Sequence, residues 1–115
     1  MLCSSPPMNP PEIIRPIEQA PWRPDRMGKY TIFESEHLLV GLNAFEPGQS
    51  HALHAHTGMD KMYYVVDGEG LFLLDGADLP MKAGDLLVAP EGVSHGVKNT
   101  GNGRLLVLAV LAPSP

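Results

Sequence analysis

His54 and His56, separated by one alanine, are the residues whose type and spacing most directly suggest chemistry. They fall in a stretch, Ser50 to His56, that reads as a β-strand, where side chains two apart project from one face with Cα atoms about 7 Å apart. Two imidazole nitrogens so placed can reach one metal ion. The same spacing also suits a wet strand face carrying two unrelated histidines, so the surroundings have to decide. No G-x-S-x-G elbow, P-loop or dinucleotide-binding glycine fingerprint occurs, which removes the usual hydrolase, nucleotide and Rossmann readings. The single cysteine, Cys3, lies in a Pro/Ser-rich stretch, forms no intramolecular disulfide and reads as a solvated free thiol.

Positioning the histidines falls to strands. From Tyr30 onward the chain is a series of short runs rich in β-branched, aromatic and aliphatic residues, broken by turn residues at close spacing, the pattern of a β-sandwich or barrel. Candidate strands are Tyr30 to Glu34, Leu38 to Phe45, Ser50 to His56, Lys61 to Val66, Gly70 to Leu74, Leu86 to Ala89, Ser94 to Lys98 and Arg104 to Leu111, with a short piece near Leu79 to Met81. Asp67-Gly68, Asp75-Gly76 and Asn102-Gly103 offer the positive φ values of tight hairpin connections, so adjacent antiparallel strands are expected around each. Leu105 to Ala112 is apolar throughout, as befits a central strand or one masked by a neighbouring subunit.

Composition sets the remaining bounds. The length of 115 residues suits one domain. Seven of the 12 prolines precede residue 25, so residues 1–28 are expected to form an extended arm, with Met1 to Pro11 a disordered tail and Ile13, Ile14, Ile17 and Trp22 able to dock. Residues 29–115 are expected to form the barrel. Acidic residues outnumber basic ones 13 to 8 and no basic run occurs, which argues against a nucleic-acid partner. There is no secretory signal and no apolar run near the roughly 20 residues that span a bilayer, so a soluble cytoplasmic protein is expected.

Two segments have the form of the paired motifs of the cupin superfamily. In the first, Gly48 is followed after five residues by His54, then His56, then after four residues by Lys61 and after six more by Gly68. In the second, Gly84 is followed after five residues by Pro90, then Gly92, then after two residues by His95 and after three by Asn99. The segment GDLLVAPEGVSHGVKN resembles the second motif closely, and the two together cover Gly48 to Asn99. The resemblance implies an all-β, double-stranded β-helix (jelly-roll) barrel in which His54, His56 and His95 match three histidine ligands of one divalent metal ion: iron, zinc, nickel, manganese or copper.

Such proteins commonly supply a glutamate as fourth ligand, and Lys61 stands at that spacing here. Three readings follow. Lys61 points at the bound molecule as a cationic anchor for a carboxylate or an enolate, the three histidines alone holding the metal. Alternatively Asp60 supplies an oxygen ligand, which needs a bulge because adjacent strand residues face opposite ways. Or Lys61 turns to solvent and marks a weakened or lost site. Normal strand register favours the first and third readings over the second.

Tyr63 shares the face of Lys61 and is expected either to line the pocket with its hydroxyl toward the metal or to fill the barrel. His51, by alternation, should face away from His54, and with His37 reads as a surface histidine. Asn99 reads as a turn residue, Gly48, Gly68, Gly84 and Gly92 as turn glycines, and Met59, Met62, Met81 and Leu71 to Leu74 as pocket wall or core. The function expected is a small metalloenzyme, an oxygenase or isomerase acting on a small anionic or oxygenated molecule, with Lys61 and Tyr63 as candidate catalytic residues. The alternative is a non-catalytic cupin that binds a small ligand or metal. An exposed sheet edge and the apolar last strand point to a homodimer.

Overall fold

The computed structural model describes residues 11–115. The tail up to Pro10, including Cys3, lies outside them. Residues 11–27 run as an arm with one turn of 3-10 helix at Pro16–Glu18, where a proline at the first helical positions loses no needed N–H. Nine strands follow: β1 (Gly28–Glu34), β2 (Leu39–Phe45), β3 (Ser50–His54), β4 (Asp60–Asp67), β5 (Glu69–Leu74), β6 (Ala77–Lys82), β7 (Leu86–Ala89), β8 (His95–Lys98) and β9 (Leu105–Ala112).

The strands form two sheets, one in the order β1-β2-β9-β4-β7 and the other β3-β8-β5-β6. This is a jelly-roll-like arrangement in which hydrogen-bond ladders run within each sheet. Among the described residues no ladder closes the pair into a barrel. Pro80 sits in β6, at a sheet edge, where its missing N–H breaks no ladder.

Alternation decides what each sheet buries. In β4, Lys61, Tyr63 and Val65 point inward while Met62, Tyr64 and Val66 point out. In β9, Leu105, Val107 and Ala109 join Phe45, Tyr63, Val65, Phe72, Met81 and Val97 in the core between the sheets. Leu106 belongs instead to an outer cluster with Ile32, Leu42 and Ala44, covered by Ile14, Ala20 and Trp22 of the arm. Both faces of β9 are thus covered, as its sequence requires, and it lies centrally between β2 and β4. The arm docks through Ile14 and Trp22, whereas Ile13 and Ile17 stay exposed.

Two of the expected hairpins need correcting. Asp75-Gly76 does close one, joining Leu74 to its partner Ala77. Asp67-Gly68 and the turn at Asn102-Gly103 instead carry the chain from one sheet to the other, β4 to β5 and β8 to β9. Gly68 has φ 90°, and a Cβ there would collide with the backbone of Arg104 and Leu105, so this crossing demands glycine twice over. Gly48, Gly84 and Gly92 likewise take positive φ in turns.

Asn99 ties the crossing at the other end. Its Nδ2 donates to the carbonyls of Phe45 (3.0 Å) and Gly103 (2.9 Å), and its Oδ1 accepts from the Gly101 amide (3.0 Å). The side chain is 1% exposed and fixes the turn that launches β9 against β2.

Candidate metal centre and its cavity

Paired strands bring the histidines together. His54, at the end of β3, lies directly opposite His95, at the start of β8. His56 follows two residues on, just beyond the strand, and is held there by the Gly92 amide, which donates to its carbonyl at 2.7 Å. Ring centroids are 4.4 Å apart for His54 and His95, 4.9 Å for His54 and His56, and 5.3 Å for His56 and His95.

Hydrogen bonds fix the ring chemistry. The Nδ1 of His54 lies 2.8 Å from the Ala52 carbonyl and that of His95 2.9 Å from the Val93 carbonyl. A carbonyl only accepts, so both Nδ1 atoms carry the proton and both Nε2 atoms are left with a lone pair, the arrangement metal-ligating histidines use. The Nε2 atoms of His56 and His95 are buried and have no partner. One nitrogen from each ring lies within 4.8 Å of the others. Nitrogens bound to one ion at about 2.1 Å lie roughly 3.0–3.5 Å apart, so the three rings would draw together by roughly 1.5 Å or less to share it. Burial lowers the pKa of His56 and of His95, helped at His56 by the Lys61 charge and opposed at His95 by its bond to Val93. The neutral, ligating form is favoured at both. The donor set, three converging imidazoles with buried, partnerless Nε2 atoms at His56 and His95, therefore fits a divalent transition metal.

Lys61 points into the interior. It is 6% exposed, with Nζ 4.7 Å from the centroid of the Tyr63 ring. Among the described residues no carboxylate pairs with it. Burial, and then the charge of Lys29, lower its pKa to about 8. The solvent-facing reading of this side chain is overturned. So is the reading of Asp60 as a ligand: Asp60 Oδ1 accepts from the Glu91 amide at 3.0 Å, on the opposite side of β4. Glu91 in turn accepts from the Gly58 amide at 2.8 Å, so this pair ties the loop that carries His56 to the loop between β7 and β8.

Tyr63 is fully buried in the core beside Phe72, and its ring lies 5.7 Å from that of His95. It is absent from the cavity wall, its hydroxyl has no partner, and burial raises its pKa. Met81 belongs to the core, and Met59, Met62 and Leu71 to Leu74 also lie off the cavity wall.

The largest departure from alternation is at His51. β3 pairs His51 with Val97 and His54 with His95, three steps on one strand against two on the other, which is a β-bulge at Ala52-Leu53. The extra residue turns His51 onto the face of His54, with ring centroids 4.4 Å apart. His51 is therefore a cavity residue, while His37 is exposed as expected. Burial is the main cause that lowers the His51 pKa to about 4, and its Nε2 lies 3.5 Å from Lys29 Nζ. The signal for this lay across the ladder in Gly96, where a Cβ would come within 2.6 Å of the His51 carbonyl oxygen.

A cavity of about 260 Å³ opens on the centre. Lys29, Asn43, His51, His54, His56 and Lys61 supply its polar wall, and Leu39, Ala109 and Leu111 its apolar one. Among the described residues no acidic side chain lines it. Lys29 and Asn43, register partners on β1 and β2, escaped the sequence reading because neither belongs to a motif.

Comparison with known proteins agrees with this geometry. The family model described as a cupin domain matches residues 41–111. The oxalate-binding protein of Thermotoga maritima is 48% identical over 65 residues, which are 56% of this chain and 54% of that protein. The crystal structure of TT1209 from Thermus thermophilus superimposes with a TM-score of 0.81 at 35% identity, covering 89% of this chain and 98% of that one. An uncharacterized conserved protein with a double-stranded β-helix domain from Klebsiella pneumoniae gives a TM-score of 0.85 at 26% identity, covering 90% of both chains. The chain spans about half the length of the oxalate-binding protein.

Proposed function

This chain belongs to the cupin family, and on that premise we propose that it works as a small metalloenzyme in which His54, His56 and His95 hold one divalent metal ion and Lys61 anchors a small anionic molecule beside it. The observation that carries the proposal is the convergence of three imidazoles whose free nitrogens are buried without partners at His56 and His95. A bound ion would supply Lewis-acid activation of an oxygen ligand.

The chain's own residues do the rest. Lys61 holds the anion by charge, and Tyr63 steadies the ammonium with the face of its ring rather than touching the molecule. The leucines of the wall exclude water, which strengthens each charge interaction inside. A volume of about 260 Å³ lies just below the usual range for drug-sized ligands, so the occupant has few heavy atoms. The similarity to an oxalate-binding protein supports a small carboxylate, and it also supports a second reading, binding without turnover.

The two sheets are proposed to close as a double-stranded β-helix barrel, as the likeness to the Klebsiella protein supports. Tyr64, Leu86 and Val88, exposed on the outer face of the larger sheet beside its edge strand β7, support a homodimer. Elemental analysis of the parent beside His54→Ala and His95→Ala tests the centre. Stoichiometric metal in the parent and its loss in both variants is expected, and a parent that stays metal-free after reconstitution would refute the centre. Product analysis after incubation with small carboxylates then separates turnover from binding.

A further inference from the structure

We infer that Glu91 is a positioning residue for the metal centre: the dipeptide Glu91-Gly92 clamps the loop after β3 and so holds the His56 imidazole against those of His54 and His95. This rests on the three-histidine reading given above and adds to it the contact that keeps the third ligand in place.

His56 is the ligand with the least support of its own. His54 closes β3 and His95 opens β8, where the two are register partners. Each of their rings is fixed by an Nδ1 bond to the carbonyl two residues earlier, that of Ala52 at 2.8 Å and that of Val93 at 2.9 Å. His56 lies beyond the end of β3, and among the described residues no hydrogen bond holds its ring. Its position is therefore set by its backbone.

That backbone is held from the loop between β7 and β8. Gly92 donates to the His56 carbonyl at 2.7 Å, Glu91 Oε1 accepts from the Gly58 amide at 2.8 Å, and the Glu91 amide donates to Asp60 Oδ1 at 3.0 Å. His56, Gly58 and Asp60, three alternate residues, are thus bonded to one dipeptide, and the first of them is the ligand. Packing does not hold these turns, because Gly58 and Gly92 take φ of 81° and 80° with open space where a Cβ would stand. Glu91 is exposed, yet its carboxylate reaches an amide 33 residues away in sequence. Without that carboxylate, among the described residues, the Gly92 bond alone ties residues 55–59 to residues 90–94. A carboxylate also attracts a cation through space, and substitution separates the two effects. Glutamine keeps the oxygen that accepts from Gly58 and loses the charge, whereas alanine loses both.

The test has a metal-free and a metal-loaded arm, both on the full chain. In the metal-free chain the Gly92 amide of Glu91→Ala should exchange its hydrogen about tenfold faster than in the parent, the worth of one hydrogen bond, while the buried Val65 amide keeps its rate. In the second arm cobalt(II) is titrated into the chelator-stripped chain. Glu91→Ala should bind it about tenfold more weakly, the lower end of what outer partners of metal ligands cost, and Glu91→Gln should stay within about threefold of the parent. Asp60→Ala opens the clamp from β4 and should weaken cobalt binding in the same direction, so the question is answered even if Glu91→Ala does not fold. Unchanged Gly92 exchange or unchanged cobalt affinity in Glu91→Ala would overturn the inference and leave the three-histidine centre standing. So would a loss in Glu91→Gln as large as in Glu91→Ala, which would assign the effect to charge. A parent that binds no cobalt would overturn the centre and the inference together.

Discussion

Replacing Lys61 by methionine should make the metal-free protein more stable while emptying its cavity of anions. The folded state depresses the lysine pKa from 10.5 to about 8. Each tenfold change in proton affinity is worth about 1.4 kcal/mol, so keeping this ammonium charged in the fold costs about 3 kcal/mol at neutral pH. The contact with the Tyr63 ring returns roughly 1 kcal/mol. Methionine has similar length and no charge, and a net gain of about 2 kcal/mol is expected, or roughly 8 °C in Tm for a domain of this size.

The sign with pH is fixed by linkage. Below pH 8 both folded and unfolded chains hold the proton and the penalty is complete. Between pH 8 and 10.5 the unfolded chain holds more of the proton than the folded one, so parental stability rises with pH relative to the variant. Urea denaturation of parent and Lys61→Met in the presence of chelator, at pH 7 and at pH 10, measures this. The difference between the two proteins should shrink at the higher pH. A variant that is less stable than the parent at pH 7, or a difference that does not change with pH, would refute the account of Lys61 as a buried and uncompensated charge.

Gly96→Ala places a Cβ 2.6 Å from the His51 carbonyl oxygen and 3.1 Å from backbone atoms of Ala52 and Leu53, so the bulge itself must move. A stability loss of about 2 kcal/mol or more is expected together with reduced metal content, and full retention of both in denaturation and elemental analysis would show the bulge to be dispensable. Asn99→Ala leaves two carbonyls and one amide without their side-chain partner, and should cost about 2–4 kcal/mol in denaturant unfolding. Metal stoichiometry of the folded variant should be unchanged, because Asn99 touches no histidine; metal loss without loss of stability would contradict its structural role.

Sequence reasoning reached what depends on local chemistry. The H-x-H spacing, the turn glycines and the apolar run of β9 each act over a few residues, and the structure has His54 and His56 beside His95, positive φ at Gly48, Gly68, Gly84 and Gly92, and β9 at the centre of its sheet. What escaped was set by partners distant in the chain. Alternation counted from His54 sends His51 outward, and only the ladder to β8 reveals the extra residue that brings it back. Asp67-Gly68 has the residues of a hairpin turn, but those residues fix backbone angles and do not determine which sheet receives the next strand. Asp60 and Lys61 are adjacent in sequence, and their separate tasks became distinguishable only when Glu91 and Tyr63 were seen against them.

β3 borders its sheet with β8 as its one neighbour, and the bulge interrupts even that ladder. Two of the three histidines ride on this strand or just past it, and the third is anchored on β8. An ion shared among them would act as a clasp across this interrupted edge seam, adding to β3 the tether its sheet position denies it. Without the ion this margin would hold by its interrupted ladder alone, with its unpaired backbone free to meet the edge of another molecule. The residues that equip the chain for chemistry would in that case also guard it against self-association, and selection for a retained metal would act on solubility as well as on turnover.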